Sequence, residues 1–158
     1  MNPGYFQAEI QVSVIQTAAQ SIGQDINILN ARTIRDIDAA FASLAQMLAD
    51  ALLVATDAFF FTRATQLVVL SARHAIPTLY SRREFPAAGG LMSYGPDQNE
   101  IYRLLGVYAA RILKGEKPGD LPIQLPTKFE LVINLSTVNA LGLEIPPTLL
   151  ARADEVIE

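Results

Sequence analysis

Polar and aromatic side chains follow three apolar segments of the sequence, and they are the residues best suited to bind a small molecule. Thr56 and Asp57 follow the first segment, Tyr80 and Ser81 close the second, and the third runs into Tyr94–Gln98. If these segments are parallel strands, their carboxyl ends meet at one edge of the sheet, where open α/β sheets bind ligands. Aromatic faces, hydroxyl groups and one or two carboxylates at such an edge suit an organic solute that carries an amine.

Four of these residues also have a purely structural interpretation. Asp57 and Asp97 precede helical segments, where a carboxylate accepts hydrogen bonds from the first backbone N–H groups of a helix. Tyr80 and Tyr94 are equally compatible with ordinary half-buried packing. The predicted ligand-binding residues are Thr56, Asp57, Tyr80, Ser81, Tyr94 and Asp97.

No residues have the spacing that catalysis or metal binding requires. The single histidine, His74, stands at the end of a predicted helix without an evident nucleophile and orienting group. No serine lies in a GxSxG elbow, and the chain has neither a GxGxxG nor a Walker-type loop for a nucleotide phosphate. With one histidine, no cysteine and scattered carboxylates, we predict no catalytic residue, no metal site and no cofactor.

Other charged residues near the predicted strand ends and the terminus are interpreted as solvent-exposed. Arg82 and Arg83 directly follow Ser81, and we interpret them as surface cations rather than as cations at the margin of a binding cleft. We interpret the acidic residues of the last five positions as a solvated turn.

Composition limits the class of protein further. The chain has 158 residues, of which 51% are hydrophobic and 18% charged, and this is enough for one domain with a sizeable core. The formal net charge is −4 without a basic cluster, so we expect neither nucleic acid nor an anionic membrane as a partner. No apolar run approaches the ~18 residues of a membrane span, and the first residues do not resemble a signal peptide.

Apolar periodicity predicts helices that alternate with short strands. Residues recurring every third or fourth position predict helices over about 6–22, 34–48, 62–74 and 97–115. Short apolar or alternating runs predict strands at 26–29, 51–55, 76–80, 90–94 and 129–135. Two short helices are expected after Ser136 and at Pro146, and Thr33–Asp36 resembles a capping box. The alternation predicts an α/β fold with a doubly wound, mostly parallel sheet.

The beginning of the chain is unusual for such a fold. It opens on Asn2-Pro3-Gly4 and continues into a helix, with no strand before it. A doubly wound sheet normally begins with a strand that becomes central, because later strands pair on both sides of it. We therefore expect the sequence to be a fragment whose opening strand is missing. The neighbouring strands would then carry unpaired backbone groups, which favour self-association.

Several stretches in a fixed order resemble one protein family. They are Ala49–Val54 with Thr56-Asp57, Ala72–Pro77, Gly89–Gly95, Arg111–Pro118 and Phe129–Leu135. Together they resemble the C-terminal half of ABC-transporter substrate-binding proteins, in the group whose members bind aromatic amino acids such as tryptophan. The resemblance covers nearly the whole chain and rests on the succession of motifs rather than on any one of them. It implies a periplasmic-binding-protein-like fold of type I, in which two lobes capture a solute in the cleft between them.

The resemblance also implies how the chain is organised and where it acts. Residues 1–95 would be the second lobe without its opening strand, residues 96–128 a crossover helix and connector belonging to the absent first lobe, and residues 129–158 the return strand and C-terminal helices. It implies a periplasmic location, a small-molecule solute as ligand and an ABC permease as partner of the full-length protein. Because the crossover helix would lack its covering lobe, we expect a homodimer that exchanges this helix or the strand 129–135.

The same resemblance assigns roles to the residues at the predicted strand ends. Tyr80 and Tyr94 would line the apolar part of the cleft, Asp57 would accept a hydrogen bond from an amine, and Asp97 would lie near the hinge. Two other functions remain open. The effector-binding domain of a sugar-type repressor shares the two-lobed architecture, but it predicts an upstream helix-turn-helix instead of a signal peptide. A small α/β hydrolase lacks support because no nucleophile–base pair is evident.

Overall fold

The computed structural model describes residues 1–158. The helices are α1 (Ala8–Ser21), α2 (Ile34–Met47), α3 (Ala58–Phe61), α4 (Ala64–Arg73), α5 (Glu84–Ala87), α6 (Gln98–Leu113), α7 (Leu135–Ala140) and α8 (Pro147–Leu150), with a 3-10 turn at Pro118–Asp120. The strands are β1 (Leu52–Leu53), β2 (Thr78–Tyr80), β3 (Met92–Pro96), β4 (Phe129–Asn134) and β5 (Glu155–Ile157). None of the helices combines the length and the apolar character needed to cross a membrane.

All five strands belong to one sheet, in the spatial order β1-β2-β3-β4-β5. β1, β2 and β3 are parallel to one another, β4 is antiparallel to β3, and β5 is parallel to β4. The predicted α/β class and mostly parallel sheet are therefore confirmed. β4 is antiparallel to β3 because the connection through α6 leaves the sheet after β3 and returns to it beside the same end of β3. At this point the N–H of Asp97 donates to the carbonyl of Lys128 at 3.0 Å.

The sheet is covered on both faces. Val132 and Ile133 are consecutive residues of β4 and are both completely buried, although neighbouring side chains of a strand point to opposite faces. The larger core packs α2 and α4 against the first two strands, and its members include Phe41, Leu67 and Tyr80. The smaller core joins β4 to α7 and the residues that follow α7. This two-sided burial is the arrangement expected of a doubly wound sheet.

Helix α2 forms as its sequence predicts. The hydroxyl of Thr33 accepts a hydrogen bond from the N–H of Asp36, and the Asp36 carboxylate accepts one from the N–H of Thr33, so the capping box is complete. Ile37, Phe41 and Leu44 are spaced by four and three residues and are all buried. The helix ends at Leu48, whose backbone is left-handed.

The first thirty residues differ from the sequence-based expectation in two ways. Helix α1 forms, but its apolar stripe faces solvent, since Phe6, Ile10 and Val14 are 82%, 65% and 62% exposed. The strand predicted at 26–29 is absent, because the segment has no strand hydrogen-bonded to it. Strand propensity alone does not form a strand when its neighbour is missing.

The C-terminal residues also differ from the expectation. Glu155–Ile157 form β5 beside β4 rather than a solvated turn. Glu155 forms an ion pair with Arg83, and its hydrogen bonds hold the pKa of the Arg83 guanidinium above its usual value. β5 therefore forms because β4 has a free edge and because Arg83 binds Glu155. The three residues of β5 are too short a pattern to predict a strand from the sequence.

Candidate functional site

The carboxyl ends of the three parallel strands form one edge of the sheet, which we call the strand-end edge. Thr56 and Asp57 follow β1, Ser81 and Arg82 follow β2, and Asp97 and Gln98 follow β3. Hydrogen bonds join this edge to the start of the chain and join two of its strand ends to each other. Asn2 Nδ2 donates to Asp57 Oδ2 at 3.3 Å, Gln11 Nε2 to the Thr56 carbonyl at 2.9 Å, and Arg82 Nη2 to Gln98 Oε1 at 2.9 Å.

Asp57 combines a structural role with a favourable position. Its Oδ1 accepts a hydrogen bond of 2.6 Å from the N–H of Phe59 and so caps the short helix α3. Its Oδ2 accepts the bond from Asn2. The capping role anticipated from the sequence is therefore confirmed. A carboxylate offers about four acceptor positions, so this half-buried group retains capacity for a ligand donor.

Arg82 is a fixed cation at the same edge, although the sequence favoured a surface position for it. Its guanidinium lies 4.1 Å from the centroid of the Phe61 ring and 3.4 Å from Glu84, in addition to its bond with Gln98. The Nε of Arg82 is buried and has no hydrogen-bond partner in the chain. The position of Arg82 directly after β2, next to the predicted Ser81, was the signal that could have identified it.

The ends of β2 and β3 approach each other unusually closely at Ser81 and Gly95. A Cβ atom on Gly95 would lie 2.0 Å from the Ser81 carbonyl oxygen, so only glycine fits this position. This contact fixes the position at which the backbone of Ser81 and Arg82 leaves the end of β2. Gly95 is thus the residue that determines the geometry of the middle of the strand-end edge.

Tyr80 does not lie at this edge, contrary to the sequence-based expectation. It is 1% exposed, its ring stacks on Phe85 with 4.4 Å between centroids, and its hydroxyl lies 3.0 Å from Ser71 Oγ. Burial raises the pKa of this phenol above its usual value. Tyr80 and the buried Thr78 are two residues apart in β2, so their side chains point to the same face of the sheet, which is the face that packs on the core.

Tyr94 projects from the face of the sheet opposite to Tyr80. Tyr80 pairs with Ser93 of β3, and both side chains are buried on the same face of the sheet. Tyr94 follows Ser93 directly, so its side chain points to the opposite face. Tyr94 is 56% exposed and stacks on Phe129 with 5.7 Å between ring centroids. The structure does not bring the two predicted tyrosines together.

Asp97 is buried, and its carboxylate is engaged by the chain itself. Oδ1 accepts hydrogen bonds from the N–H groups of Asn99 and Glu100 at the start of α6, and Oδ2 lies 2.7 Å from Lys128 Nζ. The hydrogen bond from Lys128 and those from the helix hold the pKa of Asp97 below its usual value. Asp97 therefore joins the two ends of the segment between β3 and β4.

A family model described as ABC transporter substrate binding protein matches residues 1–157. The chain belongs to this family of substrate-binding proteins. A tyrosine-binding protein of Clostridioides difficile is 24% identical over 143 residues, which make up 90% of this chain and 41% of that protein. The resemblance found in the sequence is therefore confirmed, and the family is one of binding proteins rather than of enzymes.

Solved structures share the fold of this chain. A conserved domain protein of Vibrio cholerae matches it with a TM-score of 0.89 at 26% identity, over 98% of this chain and 52% of that one. The ABC domain of Streptococcus pneumoniae in complex with L-Trp matches with a TM-score of 0.88 at 24% identity, over 99% of this chain and 54% of that one. The chain therefore spans about half the length of the relatives it matches.

The residues of the strand-end edge do not line the cavities next to β1. Two cavities lie next to β1, an apolar one of about 50 Å³ between α2 and β1 and a slot of about 360 Å³ beside β1. Neither cavity is lined by Asp57, Arg82 or Gln98. At the strand-end edge, the chain therefore supplies one wall of polar groups together with the aromatic ring of Phe61.

Proposed function

We propose that this chain is one half of the solute-recognition component of a bacterial ABC importer, and that the solute is an amino acid bound between two lobes. The observation that carries the proposal is the placement of Asp57, Phe61 and Arg82 along one strand-end edge, where Arg82 covers the Phe61 ring at 4.1 Å. A carboxylate, an aromatic face and a guanidinium match the ammonium, side chain and carboxylate of an aromatic amino acid. Relatives named for binding tyrosine and solved with L-Trp support this choice.

Five of the six predicted residues have a role in this proposal that their surroundings support. Asp57 accepts from the ligand ammonium, while Thr56 and Ser81 offer polar groups beside it. Tyr94 flanks the cleft together with Phe129. Asp97 acts indirectly, because its carboxylate holds Lys128 and caps α6. Tyr80 is left out of the contact set, since its ring lies in the core.

The family and the packing support the domain organisation that accompanies this function. Residues 1–95 and 129–158 contribute strands to the same sheet, whereas α6 has no buried residue along its sixteen positions. We propose that residues 96–128 pack against a second lobe in a longer protein, which works outside the cytoplasm with an ABC permease. Family membership supports this proposal over the repressor and hydrolase alternatives.

The exposed face of α6 also supports the proposal that the isolated chain forms a homodimer. Its large apolar side chains in contact with solvent are Tyr102, Leu105, Val107, Ile112 and Leu113. Strand β4, the other segment considered for exchange between copies, is hydrogen-bonded on both sides and contains two completely buried residues. Exchange or pairing through α6 is therefore favoured over exchange of β4.

The ligand proposal is tested by titrating the isotopically labelled chain with L-tryptophan and L-tyrosine and recording amide chemical shifts. A one-walled site binds weakly, so ligand is raised to about 1–10 mM, where an interaction of only about −4 kcal/mol still gives substantial occupancy. Shifts are expected at Thr56–Phe61 and at Ser81–Arg82. Asp57→Asn should abolish them while keeping α3, because asparagine is also a good N-cap. Asp120→Asn, in the connector, is the matched control. Absence of shifts at this edge with both amino acids refutes the proposal.

A further inference from the structure

Helix α6 has few side-chain hydrogen bonds to the rest of the chain. None of its sixteen residues is buried. One side-chain hydrogen bond of the helix reaches outside residues 96–128, and it joins Gln98 Oε1 to Arg82 Nη2 at 2.9 Å. Its longer-range bonds inside that segment are those of Arg103 with Glu100, Tyr108 with Pro122 and Arg111 with Glu116. The polar connection from the side chains of α6 to the end of β2 is therefore made by Gln98.

Gln98 is held in an orientation that presents its side-chain oxygen to Arg82. It is the first residue of α6, and Asp97, directly before it, caps the helix with its carboxylate. The Nε2 group of Gln98 donates to the Pro96 carbonyl at 3.3 Å, so Oε1 faces the guanidinium. Because both contacts are made by the first residue of the helix, a movement of the Arg82 guanidinium acts directly on the first turn of α6.

Arg82 has a second polar partner, which lies outside α6. Glu84 Oε1 is 3.4 Å from the same Nη2 atom, and the guanidinium lies over the Phe61 ring. These contacts use Nη2 and the flat face of the group, so Nη1 remains to donate to a ligand carboxylate. Gln98 and Glu84 therefore contact one nitrogen of Arg82 from two different elements, since Glu84 begins α5, which packs on β3 and β4.

We propose that Gln98 is a positioning residue that couples the carboxylate of a bound amino acid, through Arg82, to the orientation of α6. The inference rests on the proposed function, in which Arg82 binds that carboxylate.

The coupling follows from the sharing of one guanidinium by two acceptors. The ligand carboxylate and the Gln98 oxygen bind the same rigid, planar group, so the position that suits one of them affects the other. The coupling is reciprocal, and loss of the Gln98 oxygen must therefore also weaken binding of the carboxylate. Because α6 begins the segment that leaves the sheet after β3, a change at the strand-end edge is passed to the helix that we propose packs against a second lobe.

The link between Arg82 and α6 is tested first without a ligand. Hydrogen exchange at the amides of Ile101–Arg103 is measured for the wild type, Arg82→Gln, Gln98→Ala and the double variant at one chain concentration. Each single variant should speed exchange about two- to tenfold, as expected for the loss of one hydrogen bond. The double variant should exchange no faster than the single variants, because both remove the same bond. Asn99→Ala is the matched control and should not speed exchange, since Asn99 is exposed in the same turn.

The role of the carboxylate is tested with L-tryptophan and with tryptamine, which lacks that group. L-Tryptophan should shift the amides of Ile101–Arg103 as well as those of Thr56–Phe61, whereas tryptamine should shift only the latter. Gln98→Ala should abolish the α6 shifts and weaken L-tryptophan binding about two- to tenfold. Gln98→Glu keeps an acceptor oxygen at the same reach and should restore the α6 shifts. Glu84→Gln changes the other partner of Nη2 and should leave the α6 shifts in place.

The outcomes separate the coupling from the proposed function. If L-tryptophan shifts Thr56–Phe61 while the α6 shifts are absent, equal with tryptamine or unchanged in Gln98→Ala, the coupling is refuted and the proposed function stands. If no amide of the strand-end edge shifts, the proposed function fails, and the coupling to a ligand carboxylate fails with it. Exchange rates that multiply in the double variant overturn the link between Arg82 and α6 whatever the ligand does.

Discussion

Replacing Gly95 by alanine tests the closest backbone contact at the strand-end edge. The added methyl group would lie 2.0 Å from the oxygen and 3.0 Å from the carbon of the Ser81 carbonyl. Neither atom belongs to a flexible side chain, so β2 and β3 must separate by about 1.4 Å to bring the distance to the oxygen to an ordinary van der Waals contact of 3.4 Å. The separation strains the hydrogen bonds that register Tyr80 with Ser93.

Overpacking of this kind costs about 1–3 kcal/mol. For a chain of this length, each kcal/mol lowers the melting temperature by roughly 2–4 °C, so Gly95→Ala should melt about 2–12 °C below the wild type. Gly106→Ala is the matched control. Gly106 lies inside α6 with no atom within 4 Å of its added methyl group. There, alanine should stabilise the chain by about 0.5–1 kcal/mol because glycine is a poor helix former.

Urea unfolding followed by circular dichroism measures both variants against the wild type. The midpoints should move in opposite directions with little change in the slope m. Gly95→Ala should also weaken the amide shifts that L-tryptophan causes at Ser81 and Arg82. If Gly95→Ala is as stable as the wild type while Gly106→Ala is more stable, the Ser81 carbonyl does not lie against Gly95, and our description of the edge is incorrect.

Two further predictions concern acid stability and association. The hydrogen bond from Lys128 lowers the pKa of Asp97 in the folded state. The ion pair of Asp97 with Lys128 therefore stabilises the fold fully at pH values above the unfolded-state pKa of about 3.9. This stabilisation is lost as the pH falls through the lower folded-state pKa. Acid titrations of stability should therefore be flatter for Asp97→Asn and for Lys128→Gln than for the wild type; an unchanged slope in both would contradict the assignment. Size-exclusion chromatography with light scattering should give a dimer at micromolar concentration for the wild type and a monomer for Leu105→Glu. A stable wild-type monomer would exclude association through α6.

Local signals in the sequence correctly predicted most of the elements. Thr33 and Asp36 lie three residues apart and form their capping box within one helical turn. Asp97 caps α6 for the same reason, and the apolar spacing in α2 places Ile37, Phe41 and Leu44 on one buried face. These features depend on neighbours within a few residues, so the sequence contains all that determines them.

Long-range packing decided the features that were predicted incorrectly. Tyr80 faces the core rather than the strand-end edge because the pairing of β2 with β1 and β3 determines which face of the sheet each β2 side chain points to. Arg82 joins the edge only because Phe61 and Gln98 lie beside it. The apolar stripe of α1 predicted a buried face, yet no element of the chain covers Ile10 or Val14.

The amino-acid sequence by itself determined the longer helices, the strands β1–β4, the caps of α2 and α6 and the family, because each depends on short-range patterns or on their succession along the chain. Only the tertiary structure decided which strands have a neighbour. Glu155–Ile157 form a strand because β4 offers a free edge, whereas residues 26–29 do not because the slot beside β1 holds no strand. A strand needs hydrogen-bonding partners from another segment, and the presence of that segment at the right place is a property of the whole fold.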